Sequence, residues 1–139
     1  MPLEITETTL NGVSVLSPIG RITLGEETAQ LREKVKETLS NGNWLKLRWG
    51  WPNRVVLDLE KVSFIDSAGL GALVAAYISA TNQGATIKLA RVAKRTREIM
   101  GLTKLATVYE IHDSVEAAIK SFPLVEPAAT SSDNTGRGE

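Results

Sequence analysis

A short apolar run, Val55-Val56-Leu57-Asp58-Leu59, leads through Phe64-Ile65-Asp66-Ser67 into a segment of helical periodicity. A short run of this kind, apolar but for Asp58, is the pattern of a strand covered on both faces. Leu70, Leu73, Val74, Tyr77 and Ile78 then fall at the i, i+3, i+4, i+7 and i+8 positions of one helical face. A buried strand followed by a helix confines the chain to α/β architectures. It also places a carboxylate and a hydroxyl, Asp66 and Ser67, at a helix start, where backbone N–H groups lack partners and the dipole is positive. Ser67 is thereby a candidate for chemistry, for phosphorylation or for plain N-capping, and spacing alone leaves all three open.

The flanking segments extend the pattern. Ile5 to Leu10 and Val13 to Ile19 read as two strands, with Asn11-Gly12 between them as a hairpin signal. Pro18 marks the end of the second strand as an edge or exit. Thr23-Leu24-Gly25-Glu26 has capping-box spacing and opens a helix whose Leu31, Val35 and Leu39 share a face. Asn41-Gly42 closes that helix. Thr86 to Ala90 is a strand, Val92 to Met100 a helix stopping at Gly101, and Thr107 to Ile111 a last short strand. Asp113-Ser114-Val115-Glu116 is a second capping box, with Val115, Ala118, Ile119 and Phe122 facing inward. The order β-β-α-β-α-β-α-β-α implies a mixed sheet of about five strands with about four helices, largely parallel from Val55 onward. Pro123 to Glu139 has the composition of a disordered tail, leaving residues 1–122 as the folded unit.

Composition narrows the function. Hydrophobic residues make up 42% of 139, enough for a core. Sixteen basic residues balance sixteen acidic ones, so no global field draws the chain to nucleic acid or an anionic membrane. There are no cysteines, so disulfides and thiolate metal sites are excluded and a reducing compartment fits. The N-terminus lacks the basic and apolar regions of a signal peptide, and no apolar run approaches the ~20 residues of a membrane span. A cytoplasmic protein without membrane insertion is expected. Gly69-x-Gly71 lacks the third glycine and the Lys-Ser/Thr pair of phosphate-binding loops. Ile65 stands where a G-x-S-x-G elbow needs glycine, and the one histidine, His112, precedes a helix cap. These features weigh against nucleotide binding, hydrolysis and metal binding, and no cofactor is expected.

These residues, together with Leu89 to Leu105 and the capped last helix, resemble a STAS domain, specifically a stand-alone anti-sigma-factor antagonist. The resemblance runs from about Leu3 to Phe122. It implies a non-enzymatic regulator that binds an anti-sigma factor with serine kinase activity, freeing a sigma factor. It also implies phosphorylation of the serine after the aspartate, Ser67, and reversal by a serine phosphatase. The partner-binding loop is then Asp66, Ser67, Ala68, Gly69, Leu70 and Gly71. A STAS subunit of a transporter or larger signalling assembly is the alternative, and a small nucleotide-binding or hydrolytic protein a weaker one.

Two features depart from the family. Ala68 stands where members often carry a second hydroxyl. Residues 43–53 form an insertion holding Trp44, Trp49 and Trp51, with Leu45, Leu47 and Trp49 alternating with Lys46 and Arg48. The insertion reads either as an arm folded on the sheet edge or as an aromatic patch for a partner or a homodimer. Arg91, Lys94, Arg95, Arg97 and Lys104 cluster around one helix. They read as a solvated face or, through Arg95, as an accessory surface for an acidic partner.

Overall fold

The Asn11-Gly12 turn takes the form expected of it: both residues have positive φ, 51° and 77°, as a two-residue hairpin of matching twist requires. The computed structural model describes residues 3–40, 54–103 and 107–122, so residues 43–53 with Trp44, Trp49 and Trp51, the helix stop at Asn41-Gly42, Lys104 and the tail from Pro123 lie outside the described residues. The turn joins β1 (Glu4–Leu10) to β2 (Val13–Ile22) in antiparallel register. Helix α1 (Glu26–Ser40) follows, then β3 (Arg54–Asp58), β4 (Val62–Ile65), α2 (Ser67–Asn82), β5 (Thr86–Ala90), α3 (Lys94–Leu102), β6 (Ile111–His112) and α4 (Val115–Ser121). The strands lie in the order β1-β2-β3-β5-β6, with β4 on β2, and every pairing after the hairpin is parallel.

Six strands stand where about five were expected among the described residues. The additional one is β4, the start of the Asp66-Ser67 motif itself. It pairs with Gly20–Ile22 at the far end of β2, past the point where β3 stops at Leu16. This also revises the reading of Pro18, which lies inside a ten-residue strand rather than at its exit. Counting from the closing pair of the turn, Leu10 and Val13, Pro18 falls at a non-hydrogen-bonded position opposite Ile5. Its nitrogen faces the other side of β2, in the gap between β3 and β4, so the missing N–H interrupts no ladder.

Three further expectations give way. The capping box at Thr23 is not formed: Gly25, with φ 114°, takes the cap position, and its carbonyl accepts the Ala29 N–H at 3.2 Å. At the last helix the cap is Ser114 alone, whose Oγ accepts the Ala117 N–H at 3.0 Å, so Asp113 and Glu116 form no box. The strand predicted at Thr107 to Ile111 shrinks to Ile111–His112. Tyr109 instead buries its ring edge-on to Tyr77, centroids 5.5 Å apart, and donates to the Leu73 carbonyl at 2.6 Å. A phenol sunk in a core needs such an acceptor, and the Glu110 carbonyl still accepts the Leu89 N–H at 3.0 Å just before β6.

The core has two faces. Leu16, Leu57 and Leu89 of the central strands meet Leu31, Val35 and Leu39 of α1, Leu73 of α2 and Met100 of α3 on one side. Val13, Val15, Val56 and Ala90 meet Val115 and Ala118 of α4 and Phe122, just past its end, on the other. Strand β3, between β2 and β5, is covered on both faces as its apolar run predicts. Leu57 has no exposed surface, so Leu57→Ala is expected to destabilise the fold by about 2–5 kcal/mol, read as a lower urea midpoint at unchanged slope.

Candidate functional site

The site is built where β4 hands over to α2. Asp66, in extended backbone, is the N-cap: its Oδ1 accepts the Gly69 N–H at 2.7 Å. Its second oxygen, Oδ2, accepts the Leu24 N–H from the β2–α1 loop at 3.0 Å. One carboxylate therefore pins a helix start to a loop forty-two residues away in sequence. The bond from Leu24 first, and that from Gly69 second, hold the Asp66 carboxyl below the usual carboxylate range, since both favour the charged form.

Ser67 is the first residue of α2 and is exposed. Because Asp66 takes the capping duty, the Ser67 hydroxyl makes no hydrogen bond among the described residues. Of the readings left open at this position, capping thus belongs to the aspartate.

Glycines 69 and 71 separate in role. A Cβ at Gly69 would meet the Ile22 carbonyl oxygen at 2.3 Å and Ile65 Cγ2 at 2.7 Å. Gly69 is therefore the condition for α2 to lie against the end of β2. At Gly71 a Cβ meets nothing within 4 Å, and the residue is exposed. Ala68 and Leu70 are half-buried. Leu24, 78% exposed, flanks the junction through the bond its N–H makes to Asp66. Phe64, three residues before Ser67, is 46% exposed, with the Arg21 guanidinium 5.3 Å from its ring centroid.

Of the expected loop residues Asp66 to Gly71, Ser67 and Gly71 are exposed, Asp66, Ala68 and Leu70 half-buried, and Gly69 buried against the end of β2. Arg95 is exposed on α3, and no bond links it to the junction among the described residues. Its basic neighbours are partly committed. Arg91 is bidentate to the buried Asp58, at 3.0 and 2.6 Å, and reaches Glu60 at 2.9 Å. Arg97 pairs with Asp113 at 3.4 Å. His112 lies on β6, its Nε2 2.7 Å from Glu110. Leu24 and Ile22 are the residues that sequence reasoning missed. Their contribution is a backbone N–H and a backbone carbonyl, which carry no signature in sequence.

A family model for the STAS domain matches residues 4–118. The chain belongs to the STAS domain family, a regulatory, non-enzymatic fold. Among similar solved structures is a putative anti-sigma factor antagonist from Thermotoga maritima, 23% identical. The match covers 84% of this chain and 92% of that one, at a TM-score of 0.71. The phosphorylated form of SpoIIAA, a cell fate determinant from Bacillus, is similar over 85% of this chain and 96% of its own, at 16% identity and a TM-score of 0.58. A murine solute carrier family 26 anion transporter matches over 80% of this chain, at 16% identity and a TM-score of 0.65. The match spans 18% of the transporter. Among the described residues no helix is long and apolar enough to cross a membrane.

Two outcomes test the geometry. Gly69→Ala is expected to destabilise by about 1–3 kcal/mol or more, because the clash is with backbone, whereas Gly71→Ala should be neutral or slightly stabilising in thermal melts. The stabilisation from Asp66, whose folded pKa is depressed, is fully present at neutral pH and is lost as pH falls through the folded value. The melting difference between wild type and Asp66→Asn should therefore be largest near neutrality and shrink below about pH 4. A pH-independent difference would contradict the assignment.

Proposed function

We propose that the chain is an anti-sigma-factor antagonist with Ser67 as its phosphoacceptor. In this reading the unphosphorylated 1–122 domain binds an anti-sigma factor with serine kinase activity through Asp66 to Gly71. That binding releases a sigma factor in the cytoplasm. ATP belongs to the partner, and a serine phosphatase restores the active form. The observation that carries the proposal is the division of labour at the helix start: Asp66 caps, and the Ser67 hydroxyl stands exposed and fixed with no structural duty. The likeness to antagonists, one of them solved in a phosphorylated form, supports it.

The physics fits a surface switch. A phosphate adds about −1.5 to −2 charges at pH 7. The first turn of α2 accommodates an anion, so the fold need not open. A partner surface matched to the single charge of Asp66 would then face about two and a half to three, and like-charge juxtaposition at an interface costs several kcal/mol.

A second reading rests on the transporter likeness: a STAS subunit serving a membrane transporter. Capture from a lysate with wild type, Ser67→Ala and Ser67→Asp separates the two. The antagonist reading expects a kinase-like partner on wild type and Ala, and capture reduced about tenfold or more on Asp. It also expects mass spectrometry to place the phosphate on Ser67 after incubation with that kinase. Equal capture by Ala and Asp, or phosphate on another residue, contradicts it; a transporter subunit retained by all three supports the second reading.

A further inference from the structure

We infer that the free edge of β1, with the groove between β1 and α1, is a docking site for an extended segment of a partner protein in which basic and apolar residues alternate. In register with β2, Leu10, Thr8, Thr6 and Glu4 exchange backbone bonds with Val13, Val15, Ser17 and Ile19. The N–H and C=O groups of Ile5, Glu7 and Thr9 therefore point away from the sheet. No strand pairs with that side among the described residues. Seven residues long, without proline, lysine or bulge, β1 lacks most of the devices that blunt an exposed edge.

Beside this edge lies a groove of about 290 Å³, with Leu3 and Ile5 on the β1 side and Gln30, Glu33, Lys34 and Glu37 on α1. Lys34 is already held by Glu7 at 3.0 Å and Glu37 at 3.1 Å, and these bonds raise its pKa. Glu33 has no cationic partner among the described residues. Three carboxylates against one ammonium leave the rim acidic, over an apolar floor. A strand added to β1 sets alternate side chains over the groove, as in β-augmentation. The side chain that suits such a place lays an aliphatic stem along Leu3 and Ile5 and carries a cationic head to the rim, as lysine and arginine do. A second copy pairing β1 to β1 would bring its own Glu4 and Glu7 against these carboxylates, and an acidic strand or nucleic acid would be repelled in the same way.

The groove is distinct from the Ser67 junction, so the two can be tested apart. The full chain is titrated with a short blocked peptide alternating valine and lysine, followed by amide NMR. The expected result is shifts concentrated at Ile5, Glu7, Thr9 and along Gln30 to Glu37. Binding should weaken about tenfold or more for Glu33→Lys and for the same peptide N-methylated at alternate positions, and should be unchanged for Ser67→Asp. Equal binding of a valine–glutamate peptide overturns the inference. So does binding that Glu33→Lys leaves intact, or shifts scattered over the surface without β1.

Discussion

The Asp66 carboxylate accepts two backbone N–H groups at once, one from the helix it caps and one from the β2–α1 loop. Through this pair of bonds the end of β2, the start of α1, strand β4 and the start of α2 are held as one unit. The Asp66 N–H closes the unit further by donating to the Ile22 carbonyl at 3.3 Å. The same carbonyl leaves no space for a Cβ at Gly69. An acid that satisfies two donors and a glycine that admits a close approach are thus parts of one solution, and the position of Ser67 follows from it.

In the proposed function, this arrangement is what would let a surface switch sit on a rigid fold. The capping residue and the exposed hydroxyl are neighbours with separate duties, so charge added to one does not break the bonds of the other. Behind them, Asp58 and Arg91 secure the approach to β4. The Asp58 carboxylate is buried at the end of β3, accepts from Nε and Nη2 of Arg91, and also accepts the Glu60 N–H at 3.2 Å. Arg91 adopts a left-handed backbone, φ 55°, which a non-glycine residue holds only where its surroundings demand it.

Much of the fold was legible because its signals are local. The Asn11-Gly12 turn, the β3 run, strand β5 and the apolar face of α1 depend on spacing and turn chemistry within a few residues. The face of α2 was harder to read. Periodicity put Leu70, Leu73, Val74, Tyr77 and Ile78 inward. The buried residues are Gly69, Ala72, Leu73, Ala76 and Ala80, while Ile78 is 53% exposed. A helix lying this close to a neighbouring backbone needs small side chains at the contact, and hydrophobicity alone ranks alanine below isoleucine. Strand β4 was missed for a related reason: its four residues carry one buried side chain, Ile65, and its partner is a stretch of β2 beyond a proline.

By itself the sequence determined the alternation of strands and helices, the hairpin, the family and the place of Asp66 and Ser67 at a helix start. Each of these is written in residue type and short-range spacing. Tertiary structure decided which of the two caps the helix, which glycine is indispensable, which cations are already paired and that, among the described residues, no strand pairs with the outer side of β1 beside an acidic groove. Those outcomes turn on backbone groups such as the Leu24 N–H and the Ile22 carbonyl. Every residue carries such groups, so no sequence can single them out, and only the folded chain brings them within reach.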